Sequence, residues 1–142
     1  MIISDVLKLK GHTVATVLPS DTILSVVQKL AELHIGAVVV VDQWQKLVGI
    51  FTERDLLHLL ARDWTGGHTL HVKDVMNHLV ITCKSTDRID AALALMTVNK
   101  IRHIPIVDDG ALVGIVSIGD LVKNRIEEVV SEADSLRSFI AS

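Results

Sequence analysis

The sequence holds a single cysteine, Cys83, so no disulfide can close within the chain, and a small secreted scaffold held by cystines is excluded. Aromatic residues make up only 3% and tyrosine is absent, which disfavours modules that stack nucleic-acid bases. No basic excess exists: 14 Lys and Arg stand against 17 Asp and Glu, giving a net charge of −3, without the positive footprint that nucleic acid requires. Apolar content is high, at 49%, and mean hydropathy is +0.45. The longest apolar run is nevertheless Ile35–Val41, far short of the ~20 residues of a spanning helix. The opening Met1-Ile2-Ile3-Ser4-Asp5 meets an acid at once and has no signal-peptide layout. These absences point to a soluble, cytoplasmic protein that avoids membranes and nucleic acid. With 142 residues there is ample apolar material for one domain, or for two half-size units sharing a core.

What the sequence does have is an internal repeat of about 66 residues. Val14-Ala15-Thr16-Val17 matches Val80-Ile81-Thr82-Cys83, and Asp21-Thr22-Ile23 matches Asp87-Arg88-Ile89. Val41-Asp42 matches Val107-Asp108, and after a one-residue slip Leu47-Val48-Gly49-Ile50 matches Leu112-Val113-Gly114-Ile115. The lead-ins also correspond, Ser4-Asp5-Val6-Leu7 with Lys73-Asp74-Val75-Met76. The seam falls at Trp64-Thr65-Gly66-Gly67-His68, which divides the chain into repeats at 1–65 and 66–125 and a helical extension at 126–142.

Each copy reads as β-α-β-β-α. Ile23, Val26, Val27, Leu30 and Leu33 recur at helical spacing, with Ser20 or Asp21 as the expected cap. Ile35–Val41 has the uniform apolarity of a strand buried on both faces. Leu47–Phe51 is a second strand, and 52–62 a second helix. In the other copy Ile89 to Asn99 is helical, 104–107 and 112–116 are strands, and Asp108-Asp109-Gly110 is a tight turn. Neither half buries its faces alone, so the expected class is α+β: two pseudo-symmetric units packed sheet to sheet, followed by a C-terminal helix.

Both second helices start alike. Gly49-Ile50-Phe51-Thr52-Glu53-Arg54-Asp55-Leu56 parallels Gly114-Ile115-Val116-Ser117-Ile118-Gly119-Asp120-Leu121. A strand running into a helix presents unpaired N–H groups and partial positive charge. Thr52 and Ser117 add a hydroxyl at the cap, and Asp55 and Asp120 follow one turn on. Phosphate at the cap and ribose hydroxyls on the carboxylate would make a nucleotide site, with the glycine leaving space for close approach. The same residues also form a near-capping box, which needs no ligand. The occurrence of two such junctions in register favours more than capping.

The repeat as a whole resembles the CBS domain pair, or Bateman module, over nearly the full chain. The resemblance rests on Val80-Ile81-Thr82, on 101–108 (Ile-Arg-His-Ile-Pro-Ile-Val-Asp), on Gly114–Leu121, and on the weaker counterparts 35–42 and Gly49–Leu56. It implies a regulatory module, not an enzyme and without a catalytic cofactor, that binds an adenosine ligand such as AMP, ATP, NAD(H) or S-adenosylmethionine in clefts between the halves. It further implies a homodimer that signals by its shape or through a partner in trans. Carried onto this chain, Asp120 would hold ribose, Ser117 phosphate and Ile115 the base, with Ile118 a further ligand-binding residue. Asp55, Thr52 and Ile50 would do the same in the other cleft, with Arg54 as a further phosphate contact. Ala15, Thr16, Ile81 and Thr82 would offer backbone groups to adenine, Ala37 would be a further ligand-binding residue, and Arg102 and His103 would meet phosphate. Copy one has Gly36, Ala37 and Val39 where copy two has Arg102, His103 and Pro105, so the clefts are expected to be unequal.

Competing readings are a ligand-free dimerisation module and a metal site built from His68, His71 and Cys83. Cys83 aligns with apolar Val17 and is expected to be a buried, inert thiol. Ser117 lacks the His–acid partners of a catalytic serine. In the tail, Val122, Ile126, Val129, Ala133, Leu136 and Ile140 trace a heptad seam, which either folds back on its own module or packs on a second chain. Glu127, Glu128, Glu132 and Arg137 lie off that seam and are expected in solvent.

Overall fold

The computed structural model describes residues 1–62 and 69–141. The element order is α1 (Ile3–Lys10), β1 (Thr16–Val17), α2 (Ile23–Leu33), β2 (Ala37–Val41), β3 (Leu47–Thr52), α3 (Glu53–Arg62), α4 (Val72–Val75), α5 (Ile89–Asn99), β4 (His103–Asp108), β5 (Ala111–Ser117) and α6 (Ile118–Ala141). The expected α+β repeats are present. The two glycines of the expected seam, Gly66 and Gly67, lie outside the described residues.

The packing units cross the order of the chain. One unit holds Thr13–Ile81 with Asp108–Leu112; the other joins Met1–His12 to Thr82–Val107 and to the chain from Val113 onward. Each repeat therefore packs with the other repeat's lead-in. The reason is apolar patterning: Ile3, Val6 and Leu7 of α1 enter the core of Ile89, Ala92, Met96, Ile104, Ile106, Val116 and Leu121. Val72 of α4 enters the other core, with Val26, Leu30, Val38, Val40, Phe51 and Leu59.

In the first-repeat unit β2 lies at the centre of a three-stranded sheet, parallel to β1 and antiparallel to β3. All five of its residues are buried, as an all-apolar strand requires. Its register sets Ala37 opposite Thr52, Val39 opposite Ile50 and Val40 opposite Gly49, with a bulge before Val41. In the second repeat β4 and β5 form a hairpin whose turn residues, Asp109 and Gly110, both have positive φ, at 49° and 79°. A two-residue turn of that type matches the strand twist.

The second repeat's first strand is reduced to one parallel bridge, Cys83 to Ile106. Its rungs are Cys83 N–H to the Pro105 carbonyl (3.2 Å) and Val107 N–H to the Cys83 carbonyl (2.9 Å). In the first repeat the N–H of Val39 donates to the Ala15 carbonyl at 3.0 Å. Pro105 stands at the position of Val39 and has no N–H, so that rung is missing.

The cap of α2 is Thr22, not Ser20 or Asp21: its Oγ1 accepts the Ser25 N–H at 3.2 Å. Asp21 instead accepts the Leu18 N–H (2.9 Å). This is a recurring device. Asp5, Asp21, Asp55, Asp74, Asp87 and Asp120 each accept the N–H of the residue three before them, at 2.8 to 3.0 Å. The three pairs occupy matching places in the two repeats.

Helix α6 packs on α1 and α5 at its start, where Leu121 and Asn124 are buried. It does not fold back. Val122, Ile126, Val129, Val130, Leu136, Phe139 and Ile140 stand between 41% and 79% exposed, which removes the intramolecular reading of the heptad seam. Glu128 is held by Arg125, whose Nη1 donates to its carboxylate at 3.0 Å, so it is not simply solvated as expected.

Cys83 is a free thiol, 4% exposed, and burial together with the Asp87 carboxylate pushes it up to about 11. At neutral pH the thiolate is scarce and shielded. Alkylation by iodoacetamide at pH 7.5 is expected to run at least ~100-fold slower than for an unfolded-chain thiol and to rise with urea along the unfolding curve. Labelling at the free-thiol rate in the native state would show that Cys83 is accessible. The proton is bound more tightly in the fold, so stability is expected to fall as pH rises from about 9 to about 11.

Candidate functional site

Each repeat builds its site where a strand feeds directly into a helix. At β3–α3 the Thr52 N–H donates to Asp55 Oδ2 (2.9 Å), the Thr52 hydroxyl donates to the same oxygen (3.0 Å), and the Asp55 N–H donates back to Thr52 Oγ1 (3.3 Å). At β5–α6 the Ser117 N–H donates to Asp120 Oδ2 (2.9 Å) and the Asp120 N–H to Ser117 Oγ (3.1 Å). Both are reciprocal capping boxes. The first helical amides are also engaged: Glu53 N–H donates to the Gly36 carbonyl (2.9 Å) and Ile118 N–H to the Arg102 carbonyl (2.8 Å). The two junctions share the reciprocal pair of backbone-to-side-chain bonds, the Thr52 hydroxyl adding a third in the first, and each fixes a hydroxyl and a carboxylate side by side. All four side chains are half-buried, open enough to meet a ligand.

The junctions differ in charge. In the second repeat Lys10 Nζ donates to Asp120 Oδ2 at 2.7 Å and to the Ile115 carbonyl at 2.9 Å. Burial pushes Asp120 upward, but hydrogen bonds from Lys10 and Ser117 outweigh it and hold the carboxyl below the usual carboxylate range. Sequence reading missed Lys10. Local pattern places Lys10 three residues after Leu7, on the same face of α1, but that Leu7 packs on Gly114, next to Ile115, is a contact across the chain that the pattern does not carry. Lys29 was also missed; its Nζ donates to the Thr16 carbonyl at 2.6 Å.

The expected adenine contacts divide between the units. Ala15 and Thr16 lie at β1, but their carbonyls already accept from Val39 N–H and Lys29. Ala37 and Ile50 are buried, at 6% and 7% exposure, and Ile50 exchanges two backbone hydrogen bonds with Asn77 (3.1 and 2.9 Å). Ile81 is half-buried and Thr82 exposed. Ile115 is half-buried, whereas Ile118, in the first turn of α6, is exposed and presents an apolar surface at the helix start. Arg102 and Arg54 are exposed, and His103 is half-buried at the start of β4.

The glycines inside β3 and β5 serve a different purpose from the one expected. A Cβ on Gly49 would overlap the Met76 sulfur and lie 3.2 Å from the Asn77 carbonyl. A Cβ on Gly114 would lie 2.7 Å from Leu7 Cδ2. That space is filled by the lead-ins, not kept for a ligand. Gly119, by contrast, has room: a Cβ there would meet only Ser117 Oγ, at 3.6 Å.

Of the metal trio, His68 lies outside the described residues, Cys83 is buried, and His71 Nδ1 sits 3.9 Å from Asp74. Among the described residues no three metal-ligating side chains come together, and no helix is long and apolar enough to cross a membrane.

Known proteins carry the same architecture. The CBS domain family model matches residues 3–62 and 72–127. The CBS domain-containing protein CBSX3, mitochondrial, of Arabidopsis thaliana is 35% identical over 146 aligned residues, covering 97% of this chain and 71% of that protein. The crystal structure of the CBS-domain containing protein ATU1752 from Agrobacterium tumefaciens superposes with a TM-score of 0.85 at 38% identity, covering 87% of this chain and 92% of that one. The CBS domain pair of protein MJ0100, crystallised with 5-methylthioadenosine and S-adenosyl-L-methionine, superposes with a TM-score of 0.79 at 26% identity, covering 90% of this chain and 98% of the other. With two copies of one motif, two matching junctions and both family matches in register, the chain belongs to the CBS domain family and is a tandem CBS pair.

Proposed function

We propose that this chain is a regulatory sensor that binds adenosine-containing nucleotides, of the AMP, ATP or NAD(H) class, at its strand-to-helix junctions, and that it catalyses no reaction. The observation that carries this reading is the duplicated pairing of hydroxyl and carboxylate, Thr52 with Asp55 and Ser117 with Asp120. The carboxylate suits the two hydroxyls of a ribose, and the hydroxyl with the helix start suits a phosphate. Support comes from the MJ0100 pair, whose structure holds two adenosine derivatives. Asp120 and Ser117 take ribose and phosphate in the second repeat, with Ile115 and Ile118 toward the base and Arg102 and His103 toward phosphate. Asp55 and Thr52 do so in the first, with Arg54 toward phosphate. The exposed apolar face of α6 supports a homodimer formed through that helix, and occupancy is then read out by the dimer or by a partner in trans. The free thiol fits a reducing compartment such as the cytoplasm.

A ligand-free dimerisation module is the second reading, favoured by the observation that both capping boxes close on themselves. A thermal-shift panel of AMP, ADP, ATP, NAD, NADH and S-adenosylmethionine separates the two. A ligand that binds the fold stabilises it by about 2.7 kcal/mol at a hundredfold excess over Kd. A shift with one or two ligands is expected. No shift, with no small molecule released on denaturation, would overturn the sensor reading.

A further inference from the structure

We propose that Lys10 makes the second repeat's site selective for adenosine ligands that carry a phosphate, over neutral adenosine and cationic S-adenosylmethionine. The inference rests on the reading of Asp120 as the ribose carboxylate. Lys10 Nζ lies 2.7 Å from Asp120 Oδ2, and that oxygen also accepts the Ser117 N–H at 2.9 Å. A ribose diol that takes both carboxylate oxygens must share Oδ2 with the ammonium or displace it. Either way the carboxylate's charge is drawn toward the ligand, and the ammonium, about a third exposed, needs a new counter-charge. The Ile115 carbonyl, its other acceptor at 2.9 Å, keeps it tethered beside the site but supplies none. A phosphate near the Ser117 hydroxyl supplies that charge. Neutral adenosine does not, and a sulfonium adds a second cation.

At the matching position the first repeat's site has no lysine. In the lead-in correspondence Lys10 falls opposite Leu79, which is 86% exposed, and α4 ends at Val75, before that position. Asp55 Oδ2 is bonded by Thr52's own N–H and hydroxyl. The two sites therefore differ in whether a lysine from the lead-in sits on the ribose carboxylate, with Lys10 as the specificity residue of the second.

The test is titration calorimetry with AMP, adenosine and S-adenosylmethionine. It uses full-length Asp55→Asn protein, to weaken the first site, with Lys10 intact, Lys10→Met or Lys10→Arg. With Lys10 intact, AMP is expected to bind about tenfold or more tighter than adenosine. Lys10→Met should shrink that ratio several-fold by weakening AMP, and Lys10→Arg should preserve it. An unchanged ratio in Lys10→Met, with binding retained, overturns the role of Lys10 alone. Absence of binding by all three ligands with Lys10 intact overturns the adenosine reading, and this inference with it.

Discussion

Deleting residues 1–10 is expected to unfold the second repeat's packing unit, although those residues precede the first repeat in the chain. Ile3, Val6 and Leu7 are each 0% exposed, and all three sit in the core of α5, β4 and β5. At about 1.5–3 kcal/mol per buried side chain, their loss removes roughly 5–9 kcal/mol. That matches the whole stability of an ordinary domain, about 5–15 kcal/mol. The deletion also breaks the backbone bonds Ile3 N–H to the Asp87 carbonyl and Ser4 N–H to the Ser85 carbonyl, both 2.8 Å, and bares Gly114, against which Leu7 packs. Hydrogen exchange should show protection lost across Ile89–Asn99 and His103–Asp108. A deleted chain that kept native protection there and an unchanged urea midpoint would show that α1 is dispensable to this core.

The exchange of lead-ins marks the limit of what periodicity conveys. The strands and helices of each repeat were legible because their patterns are local. Ile89–Asn99 forms the expected helix, and Ile35–Val41 contains the fully buried strand β2. The matching lead-ins were legible too, as a correspondence between Leu7 and Met76. Which repeat each one packs against was not legible, because that is decided by a contact across the chain: Leu7 with Gly114, Met76 with Gly49. The same blindness explains the misreading of those glycines. A glycine within a strand reads equally well as space for a ligand or as space for a side chain from elsewhere. The pairing of Thr52 with Asp55 and of Ser117 with Asp120 was legible because it spans three residues. Lys10 was not singled out, because it reaches Asp120 across 110 residues of chain. The missing rung at Pro105 was foreseeable in kind, since proline lacks an N–H, but only the register of Val39 against Ala15 shows which bond is lost.

Replacing Asp120 by alanine is expected to damage binding much more than folding. The carboxylate has two structural duties, capping α6 and pairing with Lys10. Loss of a cap costs about 1 kcal/mol, and a partly exposed ion pair about 0–1 kcal/mol, so the fold should lose roughly 1–2 kcal/mol. A ribose diol on the carboxylate makes two charge-assisted bonds, each contributing about 1.5–3 kcal/mol. Affinity for the nucleotide that the second site takes should therefore fall about a hundredfold or more. Asp120→Asn is the control for the cap, since it keeps an oxygen to accept the Ser117 N–H while giving up the charge. It should recover most of the stability and little of the affinity. The structural share also has a pH signature. The folded carboxyl is held below its ordinary value, so its stabilisation is present above about pH 4 and is lost as pH falls through the lowered folded value. The stability gap between wild type and Asp120→Ala should hold level from about pH 5 to 8 and narrow in stronger acid. Calorimetry and urea unfolding on the same three proteins decide the matter. If alanine costs the fold its 1–2 kcal/mol while nucleotide affinity stays within about threefold, the carboxylate is a helix cap tethered to Lys10, and the ribose reading of Asp120 fails.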